Sequence, residues 1–325
     1  MNKNTSPILG LTLAGGLALS AGPAKADSFG SGPNAFTIGF VSIGNPGNAN
    51  DAPFDNTFPG FSAPHGAVAY SYRMGVTEAA QDWITKATNL GLTNVLAGPW
   101  AASQPATYMT WYEAAAFVNW LNTSTGHQAA YNLTFSGSWS MALWSSAQAW
   151  QAGGENLYRN KGAYYFLPSE DEWYKAAFHK NDGVTANYWD YATGSNTIPT
   201  AVASGTAAGS AVYNQPFDQG PAAVNNPGGL SPYGTRGQDG NVSEWEESAW
   251  DGSNDSPTED RSMVGGGWAG DESQLRPTGS LSFGPLSWNE GIGFRVASVP
   301  EPSCAVLMMG PGLMLVRRRR PGVVL

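Results

Sequence analysis

Apolar residues recur at helical spacing in three places along the chain. Behind Thr110-Trp111-Tyr112-Glu113, the residues Ala114, Phe117, Val118 and Leu121 share one face. The threonine and the glutamate form a capping box, each side chain satisfying an orphan amide of the first turn. Ser169-Glu170-Asp171-Glu172 repeats the device before Trp173, Ala176 and Ala177, and its three carboxylates favour the positive end of the helix dipole. A third helix is predicted from about Thr77 to Leu90 through Ala80, Trp83, Ile84 and Ala87. Segments 35–43, 67–73 and 292–297 read as short strands, and the remainder is rich in Gly, Asn, Pro and Ser. Thr193 to Ser210, dominated by Thr, Ala, Ser and Gly, reads as a mobile loop. The whole pattern predicts an irregular, loop-rich α+β domain.

Composition narrows this picture. The 325 residues include 41 Gly and 22 Pro, and 13% are charged, against ~25% in typical domains. Long helical bundles are excluded, and a single cysteine, Cys304, excludes a disulfide framework. Between Asp27 and Val299 ten basic residues face 24 acidic ones. Such a surface repels phosphate backbones, so no nucleic-acid partner is expected, whereas cations and neutral ligands such as sugars remain open. No solenoid repeat or charged linker divides residues 27–298, which read as one domain.

The two ends read as addresses. Residues 1–26 have a basic start at Lys3, an apolar stretch from Ile8 to Leu19 and a small-x-small site at Ala24-Lys25-Ala26, the layout of a secretory signal peptide. Residues 299–325 begin Val299-Pro300-Glu301-Pro302-Ser303, continue through an apolar stretch from Cys304 to Val316 and finish near Arg317-Arg318-Arg319-Arg320. This tail resembles the PEP-CTERM sorting signal. The resemblance implies processing by signal peptidase and an exosortase, transient anchoring in the inner membrane, and a final place in the cell envelope, at the cell surface or in an extracellular matrix. The apolar stretch, interrupted by Gly310, Pro311 and Gly312, covers only ~20 Å as a helix against ~30 Å of hydrocarbon, so the anchor is expected to be weak. Removal of both ends removes Cys304 and leaves a thiol-free protein.

Five motifs then stand in one order: Thr110 to Phe117, Phe166-Leu167-Pro168-Ser169-Glu170-Asp171-Glu172-Trp173, Gly240-Asn241-Val242-Ser243-Glu244-Trp245, Gly265-Gly266-Gly267-Trp268, and Gly293-Phe294-Arg295-Val296-Ala297. The succession resembles the formylglycine-generating enzymes, or sulfatase-modifying factors. It implies their fold, a calcium-stabilised variant of the C-type lectin fold with short helices and small antiparallel sheets, over roughly Phe36 to Ser298. Active members oxidise a sulfatase cysteine with copper(I) held by two thiolates, a soft donor pair that suits this metal. The positions that match those cysteines are Gly270 and Leu275. No copper is expected.

The resemblance also implies calcium at the Gly-Asn-Val-x-Glu-Trp segment, through Glu244 and the carbonyls of Gly240 and Val242. Calcium takes six to eight oxygens, the family's usual polar residue three positions earlier is Gly237 here, and Asp239 or water would have to compensate. The alternative is a satisfied structural glutamate. Asn214 and Asp218 align loosely with a second calcium site, against the simpler reading of a polar loop. A ligand groove implied by the family's peptide site is placed at Trp268, Asp271, Arg276 and Trp288.

Other constellations are poorer. His65, His127 and His179 have no ligand spacing. Glu246, Glu247 and the acidic run from Asp251 to Asp260 read as a solvated acidic loop rather than as paired catalytic carboxylates. The 13 Trp, 13 Tyr and 13 Phe suit sugar or peptide faces, but most are expected to fill a core short of regular elements. The leading expectation is a non-catalytic binding or structural protein whose partner is an unknown envelope protein or polysaccharide. An enzyme with non-thiol chemistry and a lectin-like sugar-binding module are the alternatives.

Overall fold

The computed structural model describes residues 25–52, 64–96, 98–279 and 281–300. In chain order its elements are β1 (Lys25–Phe29), β2 (Phe36–Ile43), β3 (Tyr72–Gly75), α1 (Gln81–Asn89), α2 (Trp111–Ser124), β4 (Asn132–Phe135), β5 (Trp139–Ala142), β6 (Ala149–Trp150), β7 (Asn156–Asn160) and β8 (Tyr165–Phe166). Then follow α3 (Glu170–Phe178), β9 (Thr200–Ala201), β10 (Ser210–Ala211), β11 (Ser243–Ala249), β12 (Arg261–Val264), β13 (Leu281–Phe283), β14 (Ile292–Phe294) and β15 (Ala297–Ser298). Of the cleavage site only Lys25 and Ala26 are described, both in β1, and of the sorting motif only Val299 and Pro300, while Cys304 and Arg317 to Arg320 lie outside the described residues.

Both capping boxes form. The Glu113 amide donates to Thr110 Oγ1 at 3.1 Å while Glu113 Oε2 accepts from the Thr110 amide at 2.9 Å. At α3 the corresponding distances are 3.3 Å and 2.7 Å. The first helix starts at Gln81 rather than Thr77, because the preceding backbone is bonded elsewhere: the Ala79 amide donates to Phe294, and Ala79 accepts from Ala106.

A five-stranded antiparallel sheet runs β1-β2-β3-β15-β8. The last described strand, β15, lies between β3 and β8, with Ala297 opposite both Met74 and Phe166, and so joins them into one sheet. The second sheet, β13-β12-β11-β14, is antiparallel except for the parallel pair β11 and β14. Segment 292–297 is therefore two strands of different sheets, broken at Arg295-Val296. Segment 67–73 shifts as well, with only Tyr72–Gly75 joining the sheet. The loop expected at 193–210 carries β9, which pairs in parallel with β10. Two further hairpins are β4-β5 and β6-β7.

The largest core lies around α2, where Trp111, Phe117, Val118 and Leu121 pack with Ile84, Phe36, Ile38, Trp245 and Phe294. Asn122 ties α2 to the first sheet by donating to the Tyr165 carbonyl and accepting from the Tyr164 and Tyr165 amides. No described helix is long and apolar enough to cross a membrane.

Candidate functional site

Strand β12 ends in a glycine turn, with Gly265 and Gly266 at φ of 94° and 71°, conformations that favour glycine. The chain then passes Trp268 and reaches Gly270 and Leu275. Leu275 is buried against Tyr191, Ala211 and Tyr213. Gly270 lines a cavity of about 210 Å³ with Trp268, Met263 and Phe283. A β-carbon on Gly270 would meet the end of the Gln274 side chain. One matching position thus points into a core, and the other presents no side chain. The donor set does not fit copper(I), which needs the paired soft thiolates that neither residue supplies.

Glu244 lies on β11 and is fully buried. Its Oε2 accepts from Arg295 Nε at 2.6 Å and from Trp173 Nε1 at 2.8 Å, and its Oε1 accepts from Arg295 Nη2 at 2.5 Å. Arg295 also donates to the carbonyls of Gly75 and Arg236. A guanidinium already holds both carboxylate oxygens, as a satisfied structural glutamate requires, while the carbonyls it takes, those of Gly75 and Arg236, are not the Gly240 and Val242 carbonyls of the expected calcium set.

Gly237, where the family pattern has a polar residue, sits at φ 75°, and a β-carbon there would collide with the Glu78 carboxylate. Glu78 fills that space from another part of the chain. Its Oε1 accepts from Asn241, and its Oε2 has no hydrogen-bond partner among the described residues. Burial and the Glu244 charge push Glu78 up to about 8. Asp239 is tied to the Ala192 and Thr193 amides, and burial pushes it up to about 7. Asn214 and Asp218 are exposed on one loop. No group of three or more His, Cys, Asp or Glu suited to a metal occurs among the described residues.

The four groove residues separate. Trp268 is buried, and its Nε1 donates to the Phe217 carbonyl. Asp271 is the exposed cap of a short 3-10 turn, where bonds from Ser273 hold its carboxyl below the usual range. Arg276 is exposed with its guanidinium over Tyr191. Trp288, 59% exposed, lines a different cleft of about 870 Å³. Leu96, Tyr108, Phe135, Trp139 and Leu286 form its other apolar walls, and Glu113 contributes a carboxylate. Tyr108 stands at φ 60°, rare for a bulky side chain, and its ring packs on Trp288 at 5.8 Å. Backbone strain of this kind is retained where the surroundings over-determine it, often at ligand sites.

Glu246 and Glu247 correct the solvated-loop expectation: both are fully buried in β11. Glu247 accepts from Arg159 Nε at 2.9 Å and Nη2 at 2.6 Å, and Arg159 also forks onto Glu172 at 3.0 and 2.8 Å. The Arg159 guanidinium lies 3.7 Å from the centre of the Phe166 ring. Alternation along β11 places Glu246 between Glu244, which takes the Trp173 bond, and Ser248, which takes the Glu170 amide. Neither Glu246 oxygen has a hydrogen-bond partner among the described residues. Burial, then the charges of Glu170 and Asp171, push its carboxyl well above the usual range. The histidines stay apart. His65 lies 3.6 Å from Glu170, His127 stacks on Tyr164, and buried His179 meets the Tyr233 hydroxyl.

Residues 58–299 match the sulfatase-modifying factor enzyme 1-like domain. Treponema denticola variable protein 1 is similar in structure, with a TM-score of 0.58 at 18% identity over 85% of this chain and 99% of that one. CarF gives 0.55 at 17% identity over 81% and 99%. PvdO from Pseudomonas aeruginosa gives 0.54 at 17% identity over 84% and 98%. No curated protein matches the sequence. The folds agree with the α+β, formylglycine-generating-enzyme architecture expected from the motifs, and the chain belongs to the sulfatase-modifying factor enzyme 1-like family.

Proposed function

We infer that the protein is an exported, non-oxidising member of this family that binds a partner in the cell envelope or extracellular matrix. The observation that carries this reading is the pair Gly270 and Leu275: where the oxidase chemistry needs two soft ligands, this chain has a hydrogen atom and a packed leucine. Glu244 acts as the structural partner of Arg295, and no metal is required to satisfy it. The strained, aromatic cleft at Tyr108, Trp139 and Trp288 is the binding surface. It is the size of ordinary ligand pockets, ~300–1,000 Å³, and its one charged wall residue is Glu113. Residues 1–26 and 299–325 serve as the export signal and the sorting tail.

Intact-mass and metal measurement on protein recovered from its native envelope tests this directly. The expected result is a chain trimmed near Ala26 and near Pro300, with neither copper nor calcium at stoichiometric occupancy. Stoichiometric copper would overturn the non-oxidising reading, and an untrimmed chain found in the cytoplasm would overturn export.

A further inference from the structure

Beyond the aromatic cleft, the fold builds a second and chemically different cavity. It measures about 420 Å³ and lies between the β6-β7 hairpin, the start of α3 and segment 67–70. Trp150 forms one wall, and Asn156, Asn254, Asp171 and Glu155 supply polar edges. The Trp150 ring is fixed from several sides. Tyr70 meets it edge-on at 5.5 Å, Phe166 lies at 6.1 Å, and the Arg159 guanidinium sits 5.4 Å from its centre.

The floor is rigid because its bonds are closed. Arg159 is clamped by Glu172 and Glu247, Tyr70 donates to Glu172 at 2.7 Å, and Asn156 donates to Glu247 at 2.5 Å. Asn254 in turn donates to Asn156 at 2.9 Å. Trp150 lines the cavity together with oxygen acceptors. Asp171, with 46% of its side chain exposed, gives one oxygen to the Gly66 amide. Glu155 is exposed on the turn that links the two strands.

These features select a ligand class. The one arginine is already neutralised by two carboxylates, and the remaining charges are negative, so an anion is repelled. A cationic amine would be drawn by the same carboxylates but would meet the Arg159 guanidinium already lying 5.4 Å from the centre of that indole, so choline is the competitor to test against. Neutral hydroxyls fit: they donate to carboxylates and carboxamides, while an apolar ring face lies on a flat aromatic surface. We propose that this cavity is a binding site for a neutral pyranose, either a free sugar or a residue of an uncharged polysaccharide, with Trp150 as platform and Asp171 and Glu155 as hydroxyl acceptors.

The test follows the indole N–H signals of the whole mature protein by NMR. Glucose, galactose, mannose and N-acetylglucosamine are titrated separately, and choline serves as the cationic competitor. At least one of the four sugars is expected to shift the Trp150 signal saturably. Trp150→Ala should weaken that binding about tenfold, equal to ~1.4 kcal/mol. Asp171→Asn, whose side chain is partly exposed, should weaken it with every other indole signal unmoved. Trp288→Ala, in the other cleft, should leave the sugar isotherm in place, which separates this site from the proposed function. The proposal fails if none of the four sugars moves Trp150, if choline alone does, or if binding survives both Trp150→Ala and Asp171→Asn.

Discussion

Glu246 is a carboxyl buried with no hydrogen-bond partner among the described residues, facing Glu170, Asp171 and Glu172 on α3 and Glu244 on its own strand. Arg159, which neutralises Glu172 and Glu247, makes no ion pair with Glu246 among the described residues. Such a group folds most favourably with its proton on. Glu170 is likewise raised from 4.5 to about 8. A native pKa above the unfolded one means the native state binds more protons, so Glu170 favours folding fully below about 4.5 and withdraws that support as pH climbs through about 8, and Glu246 acts in the same direction. Stability measured by urea denaturation should fall across this window. Glu246→Gln should flatten the fall and stabilise the protein at alkaline pH by on the order of 1–3 kcal/mol. A variant whose stability kept the same slope would refute the assignment. None of this was legible in Glu244-Trp245-Glu246-Glu247-Ser248. A buried acid and a solvated one look alike until the partner is known, and Arg159 lies 88 residues away from Glu247.

Among the elements, legibility followed locality. The capping boxes at Thr110 and Ser169 were readable because donor and acceptor lie within one turn of each other. Thr110→Ala should therefore cost ~1 kcal/mol, within a range of about 0.5–2, in the midpoint of chemical unfolding. An unchanged midpoint would show that tertiary packing alone holds the start of α2. Strand boundaries were less readable. The run Ile292 to Ala297 looks continuous, yet Arg295 turns inward to Glu244 and divides it between two sheets. The proposed groove shows the same limit. Trp268, Asp271, Arg276 and Trp288 are close in sequence, but Trp268 is buried, Asp271 and Arg276 are exposed, and Trp288 lines a cavity that none of the other three reaches.

For the whole molecule, family membership was legible because five motifs kept their order across most of the chain. The strength of those motifs also explains why the fold persists where the redox ligands do not. The Arg159 and Glu244 networks draw on no atom of Gly270, and Leu275 adds to packing instead of subtracting from it. Export, the sorting tail and the envelope partner rest on terminal segments and surface chemistry, and these follow separate tests. Recombinant residues 27–298, incubated with copper(I), oxygen, a thiol reductant and a cysteine-containing sulfatase peptide, should form no formylglycine aldehyde from that peptide. Mass-spectrometric detection of the formylglycine aldehyde, formed in proportion to protein concentration, would contradict the account.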